Sequence, residues 1–497
     1  MSEHKKSKLT LGKSANTEKS TQPARPVTSR KVNLQRDRAI KPEKPVKADA
    51  PRAREKPVHE KSAPLPEPGR REAREDTRRR RTQAPGTATD AKVPKPQAQE
   101  KPTRQPVERR SDIAAQPVRT EQFFATCPRG LENLLVEELL GLGAENVEKT
   151  SGGVGFYGPM SVCYAANLHS RIATRILLRV SAGKYAKEED LYQGALAVYW
   201  HKWFEVTRTI AVKVVAQDSP LKSLNFITLR IKDAVCDRFR QENGTRPNVQ
   251  NLHPDIRIHA FLTRDRYTLY LDTTGESLYK RGLRKQSGLA PINENLAAGI
   301  LKLSGWETHE PLYDPMCGSG TFLMEAAQMA LNIAPGLGRG FSFERMLRMD
   351  SRAWKAMKAD AQAACQPIRE LPIFGSDMMG ASLRDADANL KAAGLRDAVK
   401  LSKYNILDID PPTDHGVLVM NPPYGVRLGD EEQLAALYPK LGDVLKQKFA
   451  NWRAYIISAD PNLPKLIRLS ASKKTPLFNG ALECRLLEYK LVEGSNR

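Results

Sequence analysis

The sequence predicts an α/β protein in which a doubly wound domain follows two smaller α+β units and a disordered basic tail. Three observations lead to this fold class. From about Pro291 onward, short apolar strands alternate with longer helices, a pattern typical of a mostly parallel sheet. Between residues 121 and 280, apolar stretches of period two flank amphipathic helices. Residues 1–120 contain no Phe, Trp or Tyr.

The tail, residues 1–120, is strongly basic and rich in proline. It holds 31 Lys and Arg against 15 Asp and Glu, which is +16 of the net charge of +22, and 15 of the 34 prolines. We expect it to be disordered, because it cannot bury enough apolar surface to offset the entropy of ordering. The run from Arg78 to Arg81 could attract phosphate groups by counterion release. A tail that only keeps the protein soluble is the alternative.

Two α+β units are expected next, over residues 121–180 and 181–280. The first begins with a short strand, a Pro-Arg-Gly turn and a helix whose apolar face holds Leu131, Leu134, Leu135 and Leu139. In the second, TIAVKVVAQ predicts a strand and FITLRIKDAVCDRF predicts a helix. The segments DIRIHAFLT and YTLYLDT alternate with period two and predict an antiparallel pair.

The last domain, residues 281–497, is expected to alternate helices with strands. Helices are predicted in LAAGILKLSG, TFLMEAAQMAL, ASLRDADANLKAAG and residues 431–449. Strands are predicted in PLYDP, IFGSD, VKLSKYN, GVLVM and AYIISAD. Residues 332–372 interrupt this alternation, and we expect them to form a loop or helix on the outside.

A glycine-rich turn, Asp314 to Thr321, lies between a predicted strand and a predicted helix. Its glycines let a ligand approach the backbone, and the helix N-terminus presents free amides to it. The turn has neither the Gly-Lys-Ser/Thr of a Walker loop nor a complete Gly-x-Gly-x-x-Gly. It is therefore either a ligand-binding turn or a tight turn without further function.

Asp377 follows the apolar strand that begins at Ile373. An acidic residue at the end of the second strand of a nucleotide-binding unit accepts hydrogen bonds from ribose hydroxyls. The usual spacing after the glycine turn is about 20 residues, whereas residues 332–372 lengthen it here. Spacing alone therefore leaves a second interpretation open, in which Asp377 caps the following helix.

The segment Asn421-Pro422-Pro423-Tyr424-Gly425 directly follows the apolar run VLVM. Two prolines fix the backbone and leave its carbonyl groups without competing amide donors. The Asn421 side-chain oxygen and the Pro422 carbonyl could each accept a hydrogen of an exocyclic base amine, which localises the nitrogen lone pair. Tyr424 would stack on a base turned out of its helix. A proline-rich turn after a buried strand is the alternative.

The remaining sequence favours a cytoplasmic protein. No run of 18 apolar residues occurs and no apolar segment follows Met1, so neither membrane spanning nor secretion is indicated. The six cysteines form no Cys-x-x-Cys pair, so we expect reduced thiols and neither a zinc site nor a disulfide framework.

Several segments together resemble one family. They are CPRGLENLL, SPLKSLNFITLRIKDAVCDRF, GESLYKRGLRKQ, APINENLAAGIL, DPMCGSGT and NPPYG. Through them, residues 123–497 resemble the bacterial THUMP-domain RNA methyltransferases, in particular the guanine-N2 half of the RlmL type. The resemblance implies a ferredoxin-like unit over 121–180, a THUMP RNA-binding domain over 181–280 and a Rossmann-like domain over 281–497 that uses S-adenosyl-L-methionine (SAM).

The resemblance also implies which residues hold SAM and its target. The methionine end would pack by Ala290, Pro291 and Glu294, and the turn would hold the carboxypropyl and ribose portion through Asp314, Gly318, Gly320 and Thr321. Asp377 would bind the ribose hydroxyls, and Asp408 the adenine. The target amine would meet Asn421, Pro422, Pro423 and Tyr424. Our own candidates for RNA phosphate contacts are Arg129, Lys232, Lys280, Arg281, Arg284 and Lys285. For those from Lys280 to Lys285, which lie in the link leading into the SAM domain, solvated linker charges are the alternative.

The implied reaction is direct methyl transfer to guanine N2 in 23S rRNA or a large-subunit assembly intermediate, without a metal. Three alternatives remain: a tRNA guanine-N2 methyltransferase, a DNA adenine-N6 methyltransferase, and a non-catalytic RNA-binding factor. Enterobacterial relatives continue into a second methyltransferase domain that forms 7-methylguanosine. Because 72 residues follow Gly425 in this sequence, we expect that second activity to be absent.

Overall fold

A computed structural model describes residues 120–282, 292–423 and 430–492, although it leaves the side chains of residues 430–434 undescribed. The tail expected to be disordered therefore lies outside the described residues, apart from its last residue. So do five of the predicted site residues: Arg284, Lys285, Ala290, Pro291 and Tyr424. In the part that is described, no helix is both long and apolar enough to span a membrane.

The first half of the described chain forms one mixed sheet with helices packed on it. Its elements are β1 (Glu121–Thr126), α1 (Glu132–Gly141), β2 (Glu145–Thr150), β3 (Gly153–Gly158), α2 (Met160–His169), β4 (Arg175–Lys184), α3 (Glu188–Leu196), β5 (Ile210–Ala216), α4 (Leu224–Asn243), β6 (Ile256–Leu262) and β7 (Arg266–Asp272). The antiparallel pairing of β6 with β7 confirms the prediction from their alternating residues.

The two α+β units share this sheet. The strand order is β2-β3-β1-β4-β7-β6-β5, and the two units join where β4 pairs antiparallel with β7, from Leu177 opposite Asp272 to Lys184 opposite Arg266. Backbone hydrogen bonds thus run without a break from the first unit into the second. The sequence predicted two α+β units but did not indicate that their strands form one sheet.

The second half forms the doubly wound domain. Its elements are α5 (Glu294–Leu303), β8 (Leu312–Asp314), α6 (Thr321–Ala330), α7 (Ser351–Ala363), β9 (Ile373–Ser376), α8 (Gly380–Ala392), β10 (Lys400–Ser402), β11 (Gly416–Met420), α9 (Asp430–Lys448), β12 (Trp452–Ser458), α10 (Leu463–Leu466), β13 (Lys473–Asn479) and β14 (Leu482–Lys490). The order β10-β9-β8-β11-β12-β14-β13 is parallel from β10 to β12, which confirms the mostly parallel sheet. The pairs of β14 with β12 and with β13 are antiparallel.

The stretch 332–372 is helical in part, through α7, but it does not lie simply outside the fold as expected. Phe343 and Trp354 are buried, and Tyr164 of α2 stacks on Phe343 with ring centroids 4.7 Å apart. The Phe343 amide also donates to the Thr273 carbonyl oxygen, and the Leu347 amide to that of Trp203. The expectation is corrected because these aromatic side chains bury their surface against the first unit, and the backbone of the stretch bonds to the second.

A buried ionic cluster joins the first unit to the doubly wound domain. Glu325 on α6 is fully buried, with one carboxylate oxygen 3.1 Å from Nε of Arg281 and the other 3.7 Å from Nη1 of Arg171. Arg281 also donates to the carbonyl oxygens of Leu278 and Arg171, each at 2.8 Å. The prediction that Arg281 contacts RNA is therefore wrong, since its guanidinium is enclosed and its donors are used within the protein.

Two glycines allow further close contacts between the first unit and the doubly wound domain. A Cβ built on Gly299 of α5 would lie 2.5 Å from Cδ1 of Leu131, so a larger residue there would force the buried Leu131 side chain to move. At Gly130, a Cβ would lie 2.5 Å from the Pro476 carbonyl oxygen of β13. The first unit is thus packed tightly on both α5 and the edge of the second sheet.

Candidate active site

The strands β8, β9 and β11 run parallel, so their carboxyl ends meet at one edge of the second sheet. After β9 and β10 the chain crosses over β8 to form β11, and ligands of doubly wound sheets bind at such a reversal of strand order. A cavity of about 750 Å³ opens there. Its lining combines the glycine turn, Asp377 with the residues that follow it, residues 404–406 and the segment Asn421–Pro423.

The glycine turn has the backbone conformation that glycine permits. Gly318 and Gly320 have φ angles of 53° and 82°, in the left-handed region. A Cβ on Gly320 would meet Cβ of Ala386 on α8 at 3.3 Å, so the glycine also allows α8 to pack closely. The turn leads directly into α6, which places a helix N-terminus beside the cavity.

Asp377 ties its own loop to the glycine turn. Its Oδ2 accepts a 3.0 Å hydrogen bond from the Gly318 amide, and its Oδ1 accepts one of 2.8 Å from the Met379 amide. The N-cap residue of α8 is Met379, so Asp377 does not occupy the position that the helix-cap interpretation requires. Asp377 borders the cavity.

Asp314 is a buried carboxyl at the cavity wall, only 2% exposed. It accepts a hydrogen bond from the Met316 amide at 3.2 Å, and no basic group of the described residues pairs with it. Burial, reinforced by the charge of Asp377, raises the pKa of Asp314 well above its usual range. Such a group fits a ligand that brings a positive charge of its own.

The Asn421–Pro423 segment extends from the carboxyl end of β11, the middle strand of the second sheet. β11 is buried along its whole length, with β8 on one side and β12 on the other, and Asn421 follows its last residue. Asn421, Pro422 and Pro423 all border the cavity. The cavity lining thus includes the described residues predicted for cofactor and target binding at the ends of β8, β9 and β11, except Gly320.

Two predicted cofactor contacts have different positions. Asp408 is exposed and lies outside the cavity lining, because the chain turns after Asn405 and carries it away. Asn405 and Ile406 border the cavity in its place, which corrects the expectation for Asp408. Glu294 is buried at the start of α5, where Ile292 of the same segment borders the cavity.

The sequence did not single out Met378, Met379 and Tyr404, all of which border the cavity. They are 60%, 58% and 53% exposed, so their apolar surface is accessible at its mouth. Large exposed apolar side chains beside a cavity are typical of a ligand site. Their positions directly after β9 and β10 are the only signal in the sequence that could have identified them.

The remaining candidates for RNA contact have different environments. Arg129 is exposed, and its guanidinium lies 5.2 Å from the ring centre of Phe478. Lys280 is exposed and pairs with Glu276 at 3.0 Å. Lys232 is half-buried and pairs with Asp233. Of these three, Arg129 alone has no carboxylate partner among the described residues.

Comparison with known protein families divides the chain into three matches. Residues 122–177 match the RlmL ferredoxin-like domain, residues 185–272 the THUMP domain, and residues 281–488 the RMKL-like methyltransferase domain. These three matches follow one another along the chain and cover most of both sheets.

Two curated relatives illustrate the range of similar proteins. The ribosomal RNA large subunit methyltransferase K/L of Aeromonas hydrophila is 40% identical over 395 residues, which are 76% of this chain and 55% of the relative. A candidate RNA methyltransferase of Synechocystis is 38% identical over 381 residues, 76% of this chain and 99% of the relative. The chain thus spans about half the length of K/L relatives but nearly all of the Synechocystis protein.

Solved structures share the architecture. A candidate methyltransferase, SMU.472, crystallised with SAH, is 32% identical with a TM-score of 0.69, over 75% of this chain and 98% of that one. A Listeria monocytogenes protein described as a candidate N6-adenine-specific DNA methylase is 30% identical with a TM-score of 0.68, over 75% and 97% of the two chains.

Proposed function

The chain belongs to the RMKL-like methyltransferase family that carries THUMP and RlmL ferredoxin-like domains, and we propose that it methylates guanine N2 in large-subunit rRNA. Either 23S rRNA or a large-subunit assembly intermediate would be the substrate. One observation carries the proposal: the glycine turn, Asp377 and Asn421–Pro423 border a single cavity. A cofactor site and an acceptor of base amines thus adjoin each other.

The residues around the cavity fit SAM, the cofactor of this family. Asp314 would offer its buried carboxyl to the positively charged methionine end, and Asp377 would offer carboxylate oxygens to the ribose hydroxyls. Met378 and Ile406 supply apolar surface for the adenine. When bound, SAM supplies a methyl group that its sulfonium makes electrophilic.

The Asn421–Pro423 segment would hold the target amine. An exocyclic amine is a weak nucleophile because its lone pair is delocalised into the ring. The Asn421 side-chain oxygen and the Pro422 carbonyl would each accept one amine hydrogen and so localise the lone pair on nitrogen. The base must be turned out of its stack to reach them. Positioning and these two acceptors would account for most of the rate enhancement.

The first two units would present the RNA. They form one sheet, and the ionic cluster around Glu325 fixes that sheet to the helix that follows the glycine turn. Exposed basic groups such as Arg129 and Lys280 would contact phosphates, which position an RNA without reading its sequence. Arg284 and Lys285, in the connection to the methyltransferase domain, keep that role as a prediction.

Two other substrates use the same amine acceptors. Adenine N6 in DNA is one, since a solved structure with a TM-score of 0.68 is described as a candidate DNA methylase of that specificity. Guanine N2 in tRNA is the other. Incubation of the purified protein with SAM and rRNA, tRNA or DNA, followed by nucleoside mass spectrometry, separates the three. We expect N2-methylguanosine in rRNA, and N6-methyladenosine or methylated tRNA alone would contradict the proposal.

A further inference from the structure

The backbone of the Asn421–Pro423 segment contacts a buried tyrosine. Tyr438 lies on α9, and its side chain is fully buried in the core on the α9 side of the sheet. Its hydroxyl donates a 3.0 Å hydrogen bond to the carbonyl oxygen of Pro423. We propose that Tyr438 is a positioning residue for methyl transfer, which fixes the amine-accepting segment through this hydrogen bond. The inference rests on the function proposed for Asn421 and Pro422.

The two prolines leave one soft dihedral angle. Their rings hold φ of Pro422 and Pro423 at roughly −65°. The angle ψ of Pro422 is restricted as well, because a proline follows it. No ring restricts ψ of Pro423, and this angle sets the direction of the carbonyl that Tyr438 binds. The hydroxyl therefore restrains the one angle that the proline rings leave free.

The angle ψ of Pro423 lies between the part of the segment that β11 anchors and the proposed stacking residue. Upstream, the segment is anchored because β11 pairs with β8 and β12. Downstream, the Pro423 carbonyl carbon is bonded to the nitrogen of Tyr424, so its orientation sets the direction in which the chain leaves toward the proposed stacking residue. The sheet thus fixes the beginning of the segment, and Tyr438 fixes its end.

Tyr438 is suited to a permanent donor role. Burial raises the pKa of Tyr438, and the charge of Asp460 together with a hydrogen bond to its carboxylate raises it further. Asp460 therefore shares the hydroxyl proton with the Pro423 carbonyl. The hydroxyl therefore keeps its proton throughout the neutral range. Packing around it holds the ring in place, since Leu441, Leu445 and Ile456 lie in the same buried core.

The test compares Tyr438→Phe with Tyr489→Phe. Tyr489 on β14 is a matched control: it is 1% exposed, it lies in the same core, and its hydroxyl has no hydrogen-bond partner among the described residues. We expect Tyr438→Phe to lower kcat about 10- to 100-fold, as small misplacements of reacting groups do. The SAM dissociation constant and the KM for rRNA should stay within about twofold of the wild type, because cofactor contacts remain.

Hydrogen exchange of peptides spanning residues 418–437 adds a measurement that does not need turnover. We expect faster exchange there in Tyr438→Phe and unchanged exchange in Tyr489→Phe. Equal activity and exchange in both variants would overturn the inference, as would a joint loss of kcat and SAM affinity, which indicates general loosening. If the wild type fails to methylate rRNA, the proposed function fails, and the exchange comparison alone still decides whether Tyr438 holds the segment.

Discussion

The Asn421 side chain follows the last residue of a buried strand, where it would meet the target base and not the cofactor. We expect Asn421→Ala to lower the rate of methyl transfer by about 10²-fold or more, because one preorganised polar contact to the reacting group is lost. The SAM dissociation constant, measured by calorimetry, should change by no more than a few-fold. Near-normal turnover of the variant would show that Asn421 does not hold the amine.

Asp314 predicts how cofactor affinity depends on pH. Its pKa is raised in the free protein by burial and by Asp377, so its neutral form persists above the usual value of about 3.9. That shift lowers folding stability as pH rises from the unfolded toward the folded pKa. A cationic ligand favours the ionised carboxylate, so SAM affinity should rise with pH over that range, with release of a proton.

Calorimetry in two buffers of different ionisation enthalpy measures the proton release. Asp314→Asn should remove both the release and the pH dependence, and the variant is therefore the control. A wild type whose SAM affinity is the same across the range, without proton release, would contradict the assignment of Asp314 to the charged end of the cofactor.

At the scale of single residues, the local sequence pattern identified site residues that directly follow strands. It failed where a contact with a residue distant in the sequence decides the role of a side chain. Asp377 and Asn421 were predicted because each follows an apolar strand, and parallel strands end at one edge. Arg281 was taken for an RNA contact because nothing in a basic linker reveals Glu325, which lies on another element 44 residues away. Asp408 was wrongly assigned to the adenine because the turn after Asn405, which the sequence does not reveal, directs its carboxylate away from the cavity.

Among the elements, α7 carries the contact between the insertion and the α+β units. Trp354 is 3% exposed and packs on Phe343 with ring centroids 4.9 Å apart, and on Tyr164 at 6.1 Å. We expect Trp354→Ala to lower the free energy of unfolding by about 3 to 5 kcal/mol, the usual cost of truncating a buried tryptophan. Urea denaturation measures it. Ile368→Ala, at an exposed position of the same insertion, should stay within about 0.5 kcal/mol, and equal effects would contradict the role of α7.

The long helices and strands could be predicted from the sequence, but the elements against which they pack or pair could not. Period-two alternation identified β6 and β7 because it reports which face of a strand is buried. It does not report the neighbouring strand, so the pairing of β4 with β7 across some ninety residues of sequence could not be predicted. The insertion was placed outside for the same reason, since its aromatic residues do not show which surface they cover.

For the whole molecule, the uneven distribution of charge gives a prediction about RNA binding. Deletion of residues 1–120 removes +16 of charge and none of the matched domains. We expect general RNA affinity and its salt dependence to fall while the methylated nucleotide stays the same. Binding of full-length and truncated protein across a salt series, with mapping of the modified base, checks this. Methylation of another nucleotide, or none at any salt, would make the tail a recognition element.

The cluster of Arg171, Arg281 and Glu325 also has a consequence for which RNAs the protein could methylate. Because the cluster holds the shared sheet against α6, the proposed RNA-contacting residues of that sheet and the proposed methyl-transfer cavity would stand at a fixed distance from each other. An RNA substrate would then have to match that distance through its own folded shape. Short fragments that contain the target guanine but lack the surrounding fold should be poor substrates, however well they fit the cavity.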